Sequence, residues 1–315
     1  MPITSPFHAR STALDVVSGL DLGGRSAIVT GGGAGIGLET ARALASAGAR
    51  VTLAVRNAEQ GRASAERLRA ETGHTAVDVG VLDLADVPGV RRFAASWGDR
   101  PLHLLVNNAG VMACPLARSP QGWESQFATN HLGHFALTTA LLPALKAAGH
   151  ARVVTLSSMG HKLAGVDFDD LHFERREYNK WKAYGQAKSA NALMSLGLHA
   201  RHAADGITSL AVHPGGVDTD LHRHVPDDEK RAMGWVGDDG RISSRFKTPA
   251  QGAATSVWAA TAPALEGQGG LYLEDCQQGL PAEPGNRTSG HAPHIMDGAV
   301  ADRLWRVSEM LLASV

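Results

Sequence analysis

Short apolar runs alternate with helix-length segments along the first two thirds of this chain, and this alternation limits the fold more than any other feature. Strand candidates lie at residues 26–30, 51–55, 75–82, 102–106, 151–156 and 207–212. Their apolar positions are continuous rather than alternating, which is typical of parallel strands covered by helices on both faces. Because the alternation continues to about residue 215, it predicts a doubly wound, Rossmann-type α/β sheet in three layers, α/β/α.

The composition excludes several other classes of protein. The 315 residues are 43% hydrophobic and 19% charged, as in a globular chain, and 30 Lys+Arg balance 31 Asp+Glu. This balance gives no reason to expect nucleic acid or an anionic membrane as a partner. No apolar run is long enough to span a bilayer, and the first residues do not resemble a signal peptide, so we expect a cytoplasmic protein. Two cysteines, Cys114 and Cys276, are too few for a disulfide scaffold or a cysteine-built zinc site.

Three segments lie outside the repeat. We predict an N-terminal arm at 1–24, followed by a single Rossmann-type domain at 25–315. A polar, glycine-bearing insertion at about 222–248, here called the substrate segment, carries isolated apolar residues such as Trp235. A C-terminal extension rich in Pro, Gly and His begins at about residue 279 and precedes a predicted helix at 299–312.

A glycine cluster separates the first predicted strand from a helix predicted at 36–47. It reads Thr30-Gly31-Gly32-Gly33-Ala34-Gly35-Ile36-Gly37. Glycines at such a junction allow a tight turn, let backbone N–H groups approach a pyrophosphate and direct a helix N-terminus at negative charge. A plain turn is the alternative, and the flanking strand and helix favour the phosphate site.

Arg56 ends the second predicted strand, nineteen residues after Gly37. A dinucleotide-binding fold places the residue that reads the adenosine ribose about twenty residues after its glycines, an acid for NAD or a nearby Arg for NADP. Neither Ala54 nor Val55 is acidic, whereas the guanidinium of Arg56 suits a 2′-phosphate. The residue therefore favours NADP, with a solvated arginine as the alternative.

Tyr184 and Lys188 are four residues apart in an Ala-rich stretch that is predicted to be helical. This spacing puts the phenol and the ammonium group on one helix face, where the cation is expected to lower the pKa of the phenol for proton transfer to a carbonyl oxygen. Tyr178 and Lys182 have the same spacing but follow the charged stretch at 174–177. We therefore predict that only the later pair is functional.

Taken in order, these motifs resemble those of the short-chain dehydrogenase/reductase family over residues 25 to about 275. Further matching positions are Asn107-Asn108-Ala109-Gly110 after the fourth strand, Asn130, Ser158 after the fifth strand, and Pro214-Gly215-Gly216-Val217-Asp218-Thr219. Three stretches are similar to the retinol dehydrogenase-like subgroup: Tyr184 through Asn191, His213-Pro214-Gly215 and the terminal Leu304-Trp305-x-x-Ser308-Glu309. Gly32, Gly33 and Ala34 depart from it, because that subgroup often carries Asn and Ser or Thr there, and this departure weakens the prediction of NADP.

The resemblance implies roles for these residues. Tyr184 would pass a proton to or from the substrate oxygen, Ser158 would hydrogen-bond that oxygen, Lys188 would hold the cofactor ribose, and Asn130 would position a water. The expected cofactor-binding residues are Gly31, Gly33, Ala34, Gly35, Ile36, Gly37, Arg56, Asp83, Leu84, Asn108, Ala109, Gly110, Tyr184, Lys188, Pro214, Gly215, Val217 and Thr219.

The sequence thus predicts an oxidoreductase that interconverts a ketone or aldehyde and its alcohol with NADP(H), with NAD(H) as the alternative cofactor. We expect a hydrophobic or bulky small-molecule substrate, with His161 and Trp235 as candidate contacts, no metal ion, and an assembly compatible with a homo-oligomer. Two rivals stay open: a non-catalytic nucleotide-sensing regulator on the same fold, and a sugar-nucleotide epimerase or dehydratase.

Overall fold

One mixed β-sheet organises the computed structural model, which describes residues 1–237, 239–286 and 288–315. Its strands are β1 Ser26–Thr30, β2 Arg50–Val55, β3 Val77–Val81, β4 Leu104–Asn107, β5 Ala151–Leu156, β6 Ile207–His213, β7 Leu271–Glu274 and β8 Gln277–Gln278. Their order across the sheet is β3-β2-β1-β4-β5-β6-β7-β8, and every neighbouring pair is parallel except β7 and β8. This arrangement confirms the doubly wound parallel sheet.

Helices cover both faces of the sheet. They are α1 Ala13–Val17, α2 Gly35–Ser46, α3 Ala58–Thr72, α4 Val87–Trp97, α5 Ser125–Phe127, α6 Gly133–Ala140, α7 Leu142–Ala147, α8 Lys180–His202, α9 Asp227–Ala232, α10 Pro249–Thr261 and α11 Gly298–Ala313. One core packs α1, α2, α3 and α10 against the sheet, and a second packs α4, α6, α8 and α11 against the opposite face. Within β1, Ala27 and Val29 belong to the first core and Ile28 to the second. Burial on both faces explains why the strand sequences are continuously apolar.

Side-chain caps fix where the helices near the cleft begin. The Asn57 side chain accepts hydrogen bonds from the backbone N–H groups of Glu59 and Gln60, so α3 starts directly after β2. Asn179 caps α8 in the same way. Such caps satisfy N–H groups that a helix leaves unpaired in its first turn. The cap at Asn179 therefore sets the start of the helix that carries Tyr184 and Lys188.

The N-terminal arm lies against the rest of the chain. Helix α1 packs with α10 in the first core, and Gln278 donates its backbone N–H to the carbonyl oxygen of Ile3 at 2.9 Å. The boundary predicted at residue 24 stays a prediction. Among the described residues, no helix combines the length and the apolar character needed to cross a membrane.

The sequence alternation did not predict the last part of the sheet. Strands β7 and β8 and helix α10 lie beyond residue 215, where the strands are only four and two residues long. Runs this short leave little periodicity to detect.

The substrate segment contains α9, and its residue Asp238 lies outside the described residues, as does Arg287 in the C-terminal extension.

Candidate active site

A large cleft opens at the carboxyl ends of the parallel strands. Its volume is about 1590 Å³, and residues at or just after the ends of β1, β2, β4, β5 and β6 line it. Open α/β sheets bind ligands at this edge, where the strand order reverses, here between β1 and β4. The volume exceeds the roughly 300–1,000 Å³ of a typical small-molecule site, which leaves room for a dinucleotide and a second molecule.

The cleft gathers most of the residues singled out in the sequence. Every predicted cofactor-binding residue lines it, from Gly31 in the glycine cluster to Thr219 after β6, and so do Ser158 and Trp235. Asn130 and His161 are fully buried and do not line it. The roles of the lining residues stay predictions.

The glycine cluster forms a tight turn between β1 and α2. A side chain at Gly37 would not fit, because its Cβ would lie 2.4 Å from the carbonyl oxygen of Gly31 and 2.5 Å from Nδ2 of Asn108. Gly35, the first residue of α2, has a φ of +53°, which favours glycine. No side chain caps α2 at Ala34. The first N–H groups of α2 thus stay available for an anion in the cleft.

The loop after β4 is fastened to the end of β1. The Thr30 hydroxyl accepts hydrogen bonds from the backbone N–H groups of Asn108 (2.9 Å) and Ala109 (3.0 Å), and Asn108 Nδ2 donates to the carbonyl oxygen of Thr30 at 2.8 Å. These bonds hold the Asn-Asn-Ala-Gly motif beside the glycine turn. Sequence spacing could not show this contact, because the two motifs are 78 residues apart.

Arg56 follows β2 at the rim of the cleft, and its side chain is exposed. Among the described residues no carboxylate forms an ion pair with its guanidinium. Asp83 is also exposed at the rim, where its carboxylate accepts a hydrogen bond from the N–H of Ala85, and Leu84 is buried beside it. The rim thus offers a cation for a phosphate and an apolar surface for a base.

Tyr184 and Lys188 lie on one face of α8, as their spacing predicts, and both are almost fully buried. The Lys188 Nζ donates to the carbonyl oxygen of Leu156 at 2.9 Å and lies 5.7 Å from the centre of the Tyr184 ring. Ser158 stands opposite, where its Oγ accepts a hydrogen bond from the N–H of Gly160 at 3.0 Å and its side chain lies close enough to Tyr184 to act on the pKa of the phenol. The hydroxyl, phenol and ammonium groups therefore meet at the floor of the cleft.

Burial controls the ionisation of these groups. It raises the pKa of Tyr184 to about 12, although the nearby Ser158 side chain opposes the change. It also lowers the pKa of Lys188 to about 8. The fall in the pKa of the phenol that the sequence predicts is therefore not found in the folded chain, because removal of the phenolate from water raises this pKa.

Asn130 lies in a π-helical turn, Ala128–Leu132, between α5 and α6. Its Oδ1 accepts from the N–H of Val111 at 2.8 Å, and its Nδ2 donates to the carbonyl oxygen of Val111 at 2.9 Å. The side chain thus pins the loop after β4, close to Lys188 across Gly110. Irregular turns of this kind are frequent at functional sites.

His161 is the predicted site residue that the structure contradicts. It is fully buried, and its Nδ1 lies 2.6 Å from the carbonyl oxygen of Ser158 while its Nε2 accepts a hydrogen bond from the N–H of Ala292. The prediction that it lines the substrate pocket is wrong, because both ring nitrogens face the main chain behind the cleft.

The alternative tyrosine lies outside the cleft. The hydroxyl of Tyr178 donates to the carbonyl oxygen of Cys114 and accepts from Nε2 of Gln126, each at 2.9 Å. Tyr178 precedes the first residue of α8, and Lys182 is exposed. The geometry thus separates this pair from Ser158 and the glycine turn, in agreement with the sequence prediction.

Three ring-bearing residues that line the cleft beside Trp235 were not predicted as site residues: Trp181, His222 and Phe246. Trp235 has neighbouring rings at centroid distances of 5.9 Å (Trp181), 4.9 Å (His222) and 5.7 Å (Phe246). The spacing of Trp181, three residues before Tyr184 and thus on the same helix face, was a signal that could have identified it.

Among the described residues no cluster of three or more His, Cys, Asp or Glu side chains is placed to hold a metal ion.

Known proteins resemble this chain over nearly its whole length. A Streptomyces antibioticus protein named "Probable oxidoreductase" is 49% identical over 294 residues, which cover 91% of this chain and 97% of that protein. Retinol dehydrogenase 12 of Homo sapiens is 40% identical over 296 residues, which cover 93% of this chain and 88% of that protein. The second similarity agrees with the predicted subgroup.

Solved structures share the fold. An uncharacterized protein from Mycobacterium paratuberculosis is 34% identical, with a TM-score of 0.73 and coverage of 96% of this chain and 98% of that one. A gluconate 5-dehydrogenase from Burkholderia cenocepacia J2315, solved in complex with NADP and tartrate, is 27% identical, with a TM-score of 0.63 and coverage of 81% and 94%.

The family model for short chain dehydrogenases matches residues 25–230. Together with the strand order, the glycine turn at the switch point and the long, similar relatives, this match shows that the chain belongs to the short-chain dehydrogenase family of oxidoreductases.

Proposed function

We propose that this oxidoreductase interconverts a ketone or aldehyde and its alcohol with NADP(H), and that its substrate is hydrophobic or bulky. The observation that carries the proposal is the meeting of Ser158, Tyr184 and Lys188 at the floor of the cleft that the glycine turn borders. A protein that only senses a nucleotide would need the turn but not the buried phenol and ammonium groups.

The cleft fits a dinucleotide with a 2′-phosphate. Gly37 leaves space that a Cβ would fill, the N-terminus of α2 offers unpaired N–H groups, and Arg56 adds a cation at the rim. The NADP held by the related gluconate 5-dehydrogenase supports the same cofactor here. When bound, the cofactor supplies the hydride chemistry.

The residues of the chain supply alignment and proton transfer. Because burial raises the pKa of Tyr184 to about 12, the phenol stays protonated near neutral pH and can donate its proton to a substrate oxygen. The hydroxyl of Ser158 can hydrogen-bond the same oxygen as negative charge develops on it. Lys188 is held by the carbonyl oxygen of Leu156, which places its ammonium group where it can stabilise a phenolate. Asn130 holds the loop that borders this group.

The walls of the cleft support an apolar substrate. Met112, Trp181, Met233 and Trp235 pack around Tyr184 and line the same cleft. Glu229 of α9 ties this wall to the start of α8, since it accepts a hydrogen bond from Nε1 of Trp181 at 2.6 Å and pairs with Lys180. The substrate segment thus lies over the reacting groups, where an aromatic surface favours bulky carbonyl compounds.

The test follows the absorbance of NADPH with a panel of ketones and aldehydes, and of NADP with the matching alcohols. We expect Tyr184→Phe to abolish turnover while it still binds NADPH, because only the proton donor is lost. Tyr178→Phe is the matched control: it removes a half-buried phenol that has the same Tyr-x-x-x-Lys spacing, and kcat should change little. Substantial kcat in Tyr184→Phe, or no turnover of any carbonyl or alcohol by the unaltered enzyme, would contradict the proposal.

A further inference from the structure

His161 occupies a buried position directly behind the proposed catalytic serine. It lies in the short turn Met159–Leu163 that follows Ser158, and none of its surface is exposed. Its Nδ1 is 2.6 Å from the carbonyl oxygen of Ser158, and its Nε2 is 3.0 Å from the backbone nitrogen of Ala292 in the C-terminal extension. The imidazole thus bridges the serine and a segment more than 120 residues later.

The two partners define which ring nitrogen carries the proton. A carbonyl oxygen only accepts hydrogen bonds, so Nδ1 must carry a hydrogen to bond Ser158. A backbone N–H only donates, so Nε2 must be unprotonated to accept from Ala292. The ring is therefore neutral and in one tautomer, and burial, which lowers the pKa of His161 to about 4, is consistent with this.

Surrounding groups hold the ring in place. Tyr272 packs edge-on against it with a centroid distance of 5.2 Å, and the ring of His294 lies 6.2 Å away. The hydroxyl of Ser189 on α8 lies 3.1 Å from the carbonyl oxygen of His161. A flip of the imidazole would thus disturb packing as well as both hydrogen bonds.

The C-terminal extension is itself anchored on both sides of Ala292. Before it, Lys162 donates to the carbonyl oxygen of Ser289 at 2.6 Å, and the N–H of Gly290 donates to the Glu274 carboxylate at 2.6 Å. After it, Ile295 is fully buried. Because these contacts fix Ala292, its backbone N–H is a hydrogen-bond donor with a fixed position for Nε2 of His161.

The position of the turn matters for the distance between the serine and the tyrosine. Gly160 lies against the Tyr184 ring so closely that a Cβ would be 2.7 Å from Cε1, and its N–H donates to Oγ of Ser158. A shift of the backbone at Ser158 would therefore move Oγ relative to the phenol. Misplacement of a reacting group by about 1 Å can lower a catalytic rate about a hundredfold.

We propose that His161 is a positioning residue: through its Nδ1–H it holds the carbonyl of Ser158, and the C-terminal extension fixes its tautomer through the N–H of Ala292. This inference rests on the proposed role of Ser158. It assigns the extension from residue 279 a part in the geometry of the active site, although Ala292 itself does not line the cleft.

Two substitutions each remove one of the two hydrogen bonds of the His161 ring and can keep the other. His161→Asn places an amide N–H near the former Nδ1 and keeps the bond to Ser158. His161→Gln places its amide near the former Nε2, so it can keep the bond to Ala292 but not the one to Ser158. With carbonyl substrate and NADPH, we expect the kcat of His161→Asn to stay within about threefold of that of the unaltered enzyme. The kcat of His161→Gln should fall about tenfold, because the loss of one hydrogen bond of roughly 1.4 kcal/mol corresponds to a factor of ten. The KM for NADPH should change in neither.

A change outside the catalytic loop tests the link to the extension. Ala292 has a φ of −75° and a ψ of 147°, which proline can adopt, so Ala292→Pro removes the N–H donor without altering His161. We expect the ¹⁵N shifts of the His161 ring to report the Nδ1–H tautomer in the unaltered protein and a mixture of tautomers in Ala292→Pro, with a lower kcat.

The outcomes are distinguishable. If His161→Asn and His161→Gln lose kcat equally and in proportion to their loss of Tm, the role of His161 is only structural and the inference is overturned. An Nε2–H tautomer in the unaltered protein, which needs no variant to fold, also overturns it. If Ser158→Ala keeps full turnover, the proposed function fails at the serine. If Ser158→Ala abolishes turnover while His161→Gln keeps kcat, only the inference about His161 fails.

Discussion

Replacement of Arg56 by alanine should largely remove a preference for NADP over NAD. The guanidinium follows β2 at the rim of the cleft and has no carboxylate partner among the described residues. A charge-assisted hydrogen bond to a 2′-phosphate contributes about 1.5–3 kcal/mol, which corresponds to about tenfold to a hundredfold in affinity. Because Arg56 is exposed, solvent screens this contact and favours the lower end, about tenfold. Gly33 and Ala34 add no side-chain donors that would raise it.

The assay compares kcat/KM for NADPH and NADH in the unaltered enzyme, Arg56→Ala and Arg67→Ala. Arg67 is a suitable control, because it is an exposed arginine on α3 that contacts Glu71 and does not line the cleft. We expect Arg56→Ala to raise the KM for NADPH about tenfold and to leave NADH unchanged, whereas Arg67→Ala should alter neither. The preference of the unaltered enzyme should also weaken as ionic strength rises.

Equal or better kcat/KM with NADH in the unaltered enzyme would refute this reasoning. It would mean that Arg56 points into solvent in the working complex, and the cofactor would then be NAD. A tenfold loss in Arg67→Ala would show instead that overall positive charge, rather than one contact, determines the preference.

Three further predictions concern stability and motion. Gly37→Ala should lower the free energy of unfolding, measured by urea denaturation, by about 1–3 kcal/mol, because the new Cβ would lie 2.4 Å from the carbonyl oxygen of Gly31. Gly298→Ala is the control, because a Cβ there would have no atom within 4 Å. Equal losses of stability in the two variants would contradict the steric argument. Because burial lowers the pKa of Lys188 to about 8, the unfolded chain binds a proton that the folded chain releases above that pH. Stability should therefore rise by about 1.6 kcal/mol between pH 8 and 9.5 relative to Lys188→Met. A stability difference between the two proteins that stays constant over this pH range would count against the prediction. Glu229→Gln should speed hydrogen exchange in the substrate segment, because it weakens the contacts of Glu229 with Trp181 and Lys180. In the unaltered enzyme, cofactor plus substrate should slow hydrogen exchange in the same segment. Exchange rates that do not change when the ligands bind would show that the segment is a static surface loop.

The local pattern of the sequence was enough to predict the nucleotide-binding half of the fold. Continuous apolar runs followed by helical periods correspond to β1 to β6, and the predicted strand at 151–156 has the observed bounds. The same pattern did not predict β7, β8 or α10, because strands of two to four residues carry almost no periodic signal. The match to known family motifs supplied the order of the site residues along the chain.

Several properties of the site depend on contacts between distant segments, which no local pattern contains. The pKa of Tyr184 is one: the sequence shows a lysine four residues away, but burial by the whole domain raises the pKa of the phenol to about 12. The place of His161 is another, since its neighbour in sequence is Ser158 while its second partner, Ala292, is supplied by the C-terminal extension.

The sequence by itself determined the fold, the family and the spacing that puts Tyr184 and Lys188 on one helix face, because each depends on residues close together or on motifs in order. Only the tertiary structure decided that Tyr178 lies away from the cleft, that His161 lies behind Ser158, and that the substrate segment brings Trp235 to Trp181. The physical reason is that burial and hydrogen bonding are set by whichever segments pack together, and parallel-sheet folds bring together segments that are far apart in the chain.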